Sequence, residues 1–458
     1  MRSLPISDQT FDFVVEAPRW LLLLLLVSTP WAFGTTEPWA IDLVTMTMIT
    51  LVSWWLGWSL FLNQPLRTSP VVVACCAFLL LQGWGMTLNA HFSYNPIAHT
   101  FAPIPSFFAS LPGSTDRATS ILAMLRITGL LGVICFVNDL AVHSEWRQRI
   151  WWTVGVTGIS VALVGLFQRA AGNTSLLWLD KPTTSPFFGP FVYHGNAGSY
   201  INLVLPLIAG RAVMAIREPL AHYERALWLS GLLVCSAGSF VNVSRMGTAI
   251  TTLLLIVLVI TQIGTVMRSV LVPNRSVVLL YVGAVLVGLA ALTSFVGLDS
   301  PAEKWALLES QLNSKNVRLL AFQVCLKILP ESGLWGFGPG SFEGVFPHYT
   351  NSLGDSIAGT WRYAHQDYLQ TLIEWGWIGS FFWAVIIFGA LGSCADSYFS
   401  RLPALRQRDR LFIFVIGLAL LGVLIHALID FPLQILSLQL YVATYLGLAW
   451  GVRPIRLN

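Results

Sequence analysis

Long apolar runs recur along the whole chain, separated by short segments rich in Pro, Gly, Arg and Asn. A run of about 18 residues or more spans the hydrocarbon core of a bilayer as a helix. The pattern therefore predicts an all-α, polytopic membrane protein with about twelve transmembrane helices, in which residues 1–458 form one integral membrane domain. We place the spans near residues 18–35, 40–62, 70–86, 118–138, 150–167, 190–210, 226–243, 246–264, 277–296, 368–391, 411–429 and 433–450.

Two connections between the predicted spans are long, at about residues 87–116 and 297–366. Within the second, apolar residues recur at helical spacing over Ala302–Leu329. This spacing predicts amphipathic helices that lie over the embedded bundle. We expect residues 297–366 to form a helical lid.

Basic residues are distributed unevenly between the two sets of short connections. With the amino terminus inside, sixteen arginines fall on the cytoplasmic side, which is the side that the positive-inside rule favours. We therefore expect both termini to be cytoplasmic and the 297–366 loop to face outward. The short outward loops hold only Arg117, Arg169, Lys181 and Arg245.

Composition supports a membrane protein and excludes several other classes. Hydrophobic residues make up 55% of the chain, charged residues 10%, and the mean hydropathy is +0.69. That leaves too little polar surface for a water-soluble globule. The formal charge of +4 does not indicate nucleic acid binding. The six cysteines and eight histidines show no ligand-like spacing, so we expect no metal site and no cofactor.

Two arginines are candidates for an anion site. Arg245 lies in Asn242–Gly247, between two predicted spans with almost no loop, and Arg318 projects from a largely apolar stretch of the lid. Two guanidinium groups that face one cavity would suit a diphosphate, because their planar donors match phosphate oxygens. An arginine bound to lipid headgroups, or a solvated charge on the lid, would explain either residue separately.

Polar residues are densest where the long loop enters the tenth span. His365 is followed by Asp367, Tyr368, Gln370 and Glu374. A neutral imidazole is the most common general base, and a base beside an anion site would form a plausible catalytic pair. A structural role for His365 is the alternative.

The segment Glu331–Phe342 is rich in glycine but lacks the Gly-Lys-Ser/Thr ending of a nucleotide-binding loop. A tight turn that holds the lid against the bundle is the better interpretation.

Three further polar positions are predicted to be buried. They are Arg126 in the fourth span, Tyr193–Asn196 at the start of the sixth, and His426 with Asp430 at the end of the eleventh. Polar groups at such depth need partners and often mark a site or a pathway. Structural pairing, for example of Arg126 with Asp430, accounts for them equally well.

These residues, in this order, resemble the O-antigen ligase and O-antigen polymerase family over about residues 185–435. Each motif is weak alone, but the ordered set on a multi-span chain with a long late loop is fairly specific. The entry to the sixth span departs from the family's more usual Asn-rich form. The motifs are Ser244–Gly247, Arg318 followed by Gly336–Phe342, His365–Gln370, and His426 with Asp430–Pro432.

The resemblance implies a metal-independent, inverting glycosyltransferase that uses an undecaprenyl-diphosphate-linked glycan as donor. Arg245 and Arg318 would hold the diphosphate, and His365 would activate the acceptor hydroxyl. Further substrate-binding candidates are Arg126, Asn196, Tyr368, His426 and Asp430.

The acceptor stays open between the lipid A core in a ligase, a second lipid-linked glycan in a polymerase and a protein hydroxyl in an O-oligosaccharyltransferase; we favour the ligase slightly. From another class, a transporter or flippase of similar span number is the alternative. It should distribute polar residues along a central path and pair its broken helices.

Overall fold

The computed structural model describes residues 8–95, 97, 100–172, 175–179, 186–218, 221–270, 317–350, 357, 361–399 and 407–452. These residues form thirteen α-helices and one antiparallel hairpin of two short strands. The helices before the hairpin are α1 (Asp8–Trp31), α2 (Pro38–Phe61) and α3 (Pro70–Leu88), and its strands are β1 (Phe92–Asn95) and β2 (Thr100–Pro103). The later helices are α4 (Arg117–Leu140), α5 (Ser144–Ala170), α6 (His194–Arg217), α7 (His222–Val241), α8 (Arg245–Val270), α9 (Val317–Ser332), α10 (Phe342–Thr350), α11 (Asp367–Phe399), α12 (Gln407–His426) and α13 (Leu436–Gly451).

The predicted all-α membrane class is confirmed, whereas the predicted number of spans is not. Nine of the described helices are long and apolar enough to cross a bilayer: α1 to α6, α8, α11 and α12. Helix α13 has only 16 residues, and α7 carries Glu224 and Arg225 in its first turns. The span predicted at 277–296 lies outside the described residues.

Helix α6 forms the centre of the bundle, with nearly all of its residues buried against α5, α7, α8 and α12. Glycines allow the first turns of α6 and α8 to approach closely. A Cβ atom added at Gly198 would lie 3.2 Å from the Cα of Gly247. Small residues at such a crossing bring the two backbones together, as in other membrane bundles.

The described part of the lid has a small hydrophobic core of its own. Helices α9 and α10 bury Ala321, Val324, Cys325, Ile328, Phe342, Val345 and Phe346 together with Ile373 of α11. The predicted lid helix is therefore present from Val317 onward. Residues 297–316 of the predicted lid lie outside the described residues.

The glycine-rich segment is a turn that fits into a break in α11. The break lies at Gly376, which has φ 63° and ψ −171°. Around it, Phe337 N donates to Ile373 O at 2.9 Å, and Gly338 N donates to Glu374 O at 3.0 Å. Backbone groups of the turn replace hydrogen bonds that α11 has lost, so the predicted tight turn is present and is bonded to α11.

The side chain of Glu374 secures the same turn. Its carboxylate accepts hydrogen bonds from the backbone N–H of Gly340 at 3.0 Å and of Phe342 at 3.4 Å. Gln370 Nε2 donates to it at 3.1 Å. A carboxylate at the amino end of α10 also complements the positive end of that helix. Glu374 therefore has a structural role at the junction of lid and bundle.

Candidate active site

The candidate base His365 lies directly before α11, and the connection between α12 and α13 packs beside it. Asp367 joins the two segments, because its carboxylate accepts from Leu433 N at 2.8 Å and from Gln434 Nε2 at 3.0 Å. Its own N–H donates to Ala427 O at 3.0 Å. These bonds bring His365 beside Asp430. Asp367 is thereby committed to structural bonds.

The imidazole Nδ1 of His365 lies 3.3 Å from Oδ1 of Asp430. The side chain of His365 is 24% exposed and that of Asp430 is 9% exposed, so the first can reach a ligand while the second stays enclosed. The backbone of His365 has φ 53°, a left-handed conformation that non-glycine residues rarely adopt. Such strain is held in place by surrounding structure and is common at functional sites.

Aromatic rings enclose this imidazole on two sides. The ring of Phe431 meets His365 edge to face with centroids 4.7 Å apart, and Trp361 does so at 5.5 Å. The ring of Tyr363 stacks on Phe431 at 4.7 Å. The rings limit water around His365 and fix its orientation. None of the three aromatic residues was among the predicted site residues, since aromatic side chains are frequent throughout the chain.

Tyr193 connects the candidate base to one of the candidate anion-binding arginines. Its hydroxyl donates to Oδ2 of Asp430 at 3.1 Å and accepts from Nη2 of Arg318 at 3.2 Å. Gly195 permits this approach, because a Cβ atom there would lie 2.6 Å from Oδ2 of Asp430. A continuous chain of contacts therefore runs from Arg318 through Tyr193 and Asp430 to His365.

The charges around this chain favour an ionised Asp430 and a neutral Tyr193. Burial would raise the pKa of Asp430, but the imidazoles of His365 and His426 and the guanidinium of Arg318 outweigh it, and the pKa lies below its ordinary value. Burial and the charge of Asp430 raise the pKa of the Tyr193 hydroxyl well above its ordinary value. The Tyr193 hydroxyl therefore stays protonated and acts as a hydrogen-bond donor to Asp430.

His426 supports the same carboxylate from inside the bundle. It is fully buried, its Nδ1 lies 2.8 Å from the hydroxyl oxygen of Ser199, and its Nε2 lies 3.9 Å from Oδ2 of Asp430. Asn196 is also buried, in the first turn of α6. Tyr368 donates to Leu424 O at 2.7 Å. Substrate binding by His426, Asn196 and Tyr368 stays a prediction.

The second candidate anion-binding residue, Arg245, is the first residue of α8. The preceding Asn242 donates from Nδ2 to His194 O at 2.9 Å, which fixes this turn to the start of α6. Since Arg318 contacts Tyr193, the residue that precedes α6, both arginines are attached to the same end of this helix. More than 70 positions separate the two arginines in the sequence, and that both face one cavity stays a prediction.

The pairing suggested between Arg126 and Asp430 is wrong. The described residues that interact with Asp430 are Tyr193, His365, His426, Arg318 and its neighbour Phe431. Arg126 instead lines a separate cavity of about 310 Å³. The α12–α13 connection places Asp430 at the amino end of α6, which sequence reasoning could not foresee.

Among the described residues, no group of three or more His, Cys, Asp and Glu side chains could hold a metal ion. The site described above combines an imidazole, a carboxylate, a phenol and a guanidinium instead.

Residues 230–384 match a family model described as O-antigen ligase. The match confirms the resemblance to the O-antigen ligase and polymerase family. It includes Arg245, Arg318 and His365, whereas Tyr193, His426 and Asp430 lie outside the matched segment. No curated protein matches the chain. The family match and the nine candidate spans together support a multi-pass membrane enzyme that acts in glycan transfer.

Proposed function

We propose that this protein transfers a glycan from undecaprenyl diphosphate to a hydroxyl of the lipid A core, at the periplasmic face of the bacterial inner membrane. The observation that carries the proposal is the chain of contacts from Arg318 through Tyr193 and Asp430 to His365. In this proposal, these contacts link the anion-binding group, Arg318, to the base, His365. The residues matched by the family model include Arg318 and His365, which stand at the two ends of this series of contacts.

His365 is the general base in this proposal, and Asp430 is its positioning residue. If Nδ1, which lies 3.3 Å from Asp430, carries the proton of the neutral imidazole, Nε2 is left to accept a proton, which is the arrangement of other histidine–carboxylate pairs. As the acceptor oxygen bonds to the anomeric carbon, its proton passes to Nε2. The bond from that carbon to the diphosphate oxygen breaks, and undecaprenyl diphosphate leaves. Attack opposite the leaving group inverts the anomeric centre.

Arg245 and Arg318 stabilise the charge that develops on the diphosphate. Guanidinium groups stay charged at any relevant pH and offer paired donors to phosphate oxygens. Arg245 also lies at the positive end of α8, where an anion is favoured. Because the donor carries its own leaving group, positioned charge and a base suffice for the chemistry.

The distribution of polar groups favours this enzyme over a transporter. The contacts among His365, Asp430, Tyr193 and Arg318 lie at the end of the bundle that carries the lid. The uneven distribution of arginines between the loops supports a periplasmic position for that end. A transporter would require polar groups along a central path.

A deletion strain tests the proposal and separates the acceptors. Loss of a ligase leaves lipid A core without glycan while long polymer accumulates on undecaprenyl diphosphate. Loss of a polymerase leaves single repeat units on the core. Loss of a protein glycosyltransferase changes neither the lipid A glycans nor the polymer on undecaprenyl diphosphate, but leaves a protein unmodified.

Of these three profiles we expect the one for loss of a ligase. The wild-type chain should restore the normal profile, and Arg318→Ala should not. Lys327→Ala, an exposed change on the same helix, should rescue fully. Normal lipid A glycans in the deletion strain would refute the ligase.

A further inference from the structure

A second polar cavity lies beside the candidate active site, between α2, α4, α10 and the start of α11. Its volume is about 310 Å³, within the range of small-molecule sites. The polar side chains that line it include Asp42, Arg126, Glu343, Arg362, Tyr363, Glu374, Gln434 and Gln439. The chemistry proposed above does not use this cavity.

Arg126 is the most informative residue of this lining. It is the tenth residue of α4, about 14 Å from the start of the helix at 1.5 Å per residue. In the described part of the chain it makes no hydrogen bond and no ion pair within 4.0 Å, although it is half-buried and its charge acts on the carboxylate of Glu374 across the cavity. A charge within a membrane helix is costly and is usually retained for a ligand or partner. The cavity is the space in which such a ligand would lie.

The lining suits a polyhydroxylated molecule better than an anion. Three carboxylates, Asp42, Glu343 and Glu374, outnumber the two guanidinium groups of the lining, and Arg362 is already paired with Glu343 at 3.5 Å, so the lining has no excess of positive charge for a second diphosphate. Gln434 and Gln439 donate through Nε2 to Asp367 and to Leu433 O, so that their carbonyl oxygens remain as acceptors. Carboxylates, amides and guanidinium groups together supply both donors and acceptors for hydroxyl groups.

Tyr363 joins this cavity to the candidate base. It lines the cavity, its ring stacks on Phe431 at 4.7 Å, and Phe431 meets His365 at 4.7 Å. Tyr363 therefore borders a ligand in the cavity, and the ring of Phe431 connects Tyr363 to the imidazole of His365. No comparable contact joins the described part of the cavity to Arg318.

We propose that this cavity binds a saccharide unit, and that under the proposed function this unit belongs to the acceptor. Arg126 of α4 donates hydrogen bonds to the sugar. Tyr363 packs against the sugar on the side of the cavity that faces His365. The identification as acceptor rests on the proposed function, whereas saccharide binding does not.

Photo-crosslinking in cells tests the cavity directly. The photoreactive amino acid p-benzoylphenylalanine replaces Leu122, which lines the cavity, in the full-length chain. The same replacement at Leu81, 74% exposed on α3, provides the control. After irradiation, mass spectrometry of the purified protein identifies what is attached. We expect sugar-bearing adducts at Leu122 and only phospholipid adducts at Leu81. Phospholipid adducts alone, or none, at Leu122 while Leu81 reacts would overturn the proposal.

Substitution of Arg126 provides a second test of the cavity. In Arg126→Gln, the yield of sugar-bearing adduct at Leu122 should fall by about tenfold, as expected for loss of a charged hydrogen bond. Arg117→Gln, on the same helix but outside the cavity lining, should leave it unchanged. Equal melting temperatures of the two variants show that the fold is kept. An unchanged yield in Arg126→Gln contradicts the assignment.

The two proposals can fail separately. Sugar-bearing adducts in a protein whose deletion leaves every glycan profile normal would preserve the cavity and refute the transferase. An altered glycan profile without sugar-bearing adducts would preserve the transferase and refute the cavity. Arg126→Gln should also raise the KM for acceptor more than the KM for donor, which a merely structural defect would not do.

Discussion

Nδ1 of His365 lies 3.3 Å from Oδ1 of Asp430, although 65 positions separate the two residues. Three features produce this contact: the bonds of Asp367 to the α12–α13 connection, the aromatic rings around the imidazole, and the left-handed backbone at His365. The contact makes Asp430 the group that would hold the imidazole in one tautomer and orientation.

The first prediction concerns this pair. His365→Ala should lower the rate of transfer by roughly 10²–10⁴-fold, because the acceptor hydroxyl loses the base that takes its proton. Asp430→Asn should reduce turnover while leaving the KM for donor nearly unchanged. Residues that act as a unit are not additive, so the double variant should be little slower than His365→Ala. Donor turnover by purified variants measures these rates. Independent, multiplicative losses would show that Asp430 does not act through His365.

The second prediction separates charge from geometry at Arg318. Arg318→Ala should weaken donor binding, and Arg318→Lys should restore it poorly, since an ammonium group cannot reproduce two parallel donors. Binding of undecaprenyl diphosphate to purified protein measures the effect without requiring catalysis. Lys327→Ala, which removes an exposed charge from the same helix, is the matched control. Binding as tight in the Lys variant as in the wild type would leave only a diffuse electrostatic role for Arg318.

The fold class was readable from the sequence because membrane helices carry a strong one-dimensional signal. Apolar length predicted the nine candidate spans, but length alone could not distinguish a span from a buried helix such as α13. The break at Gly376 was not predicted. The sequence of an apolar run does not reveal the backbone conformation of a glycine within it. At Gly376 that conformation depends on the glycine-rich turn, which is distant in sequence and packs there.

The site was readable only in part. His365, Arg318 and Asp430 lie in recognisable motifs, so each could be named separately. The role of Tyr193 could not be found, because its contact with Asp430 joins positions 237 residues apart. The suggested Arg126–Asp430 pair failed for the same reason. Opposite charges in membrane helices predict that partners exist without identifying them.

The third prediction concerns pH. The pKa of Asp430 is lowered in the folded protein, so its ionised form contributes to the free energy of unfolding above the unfolded pKa of about 3.9. This contribution should be lost as the pH falls through the folded pKa. Thermal unfolding of the detergent-solubilised protein at several pH values measures it. Asp430→Asn should show a shallower loss in acid, and an identical acid slope would be inconsistent with an ionised Asp430.

The fourth prediction concerns metals. Chelators should leave the rate of glycan transfer unchanged, because arginines would neutralise the leaving diphosphate and His365 would take the proton. The measurement compares protein treated with EDTA and protein supplied with Mg²⁺ or Mn²⁺. A rate that falls with EDTA and returns with one of these ions would require a metal in the mechanism.

The last prediction tests how the lid is held. A Cβ atom at Gly376 would lie 2.4 Å from Leu334 O, and its φ of 63° disfavours any other residue. Gly376→Ala should therefore displace the glycine-rich turn and lower the free energy of unfolding by about 1–3 kcal/mol. Gly392→Ala is the control on the same helix, since a Cβ atom there meets nothing within 4 Å. It should be neutral or stabilising by about 0.5–1 kcal/mol, because alanine favours a helix. Thermal unfolding and protease accessibility of α9 measure both variants. If Gly376→Ala matches Gly392→Ala in both assays, the turn is not what holds the lid to α11.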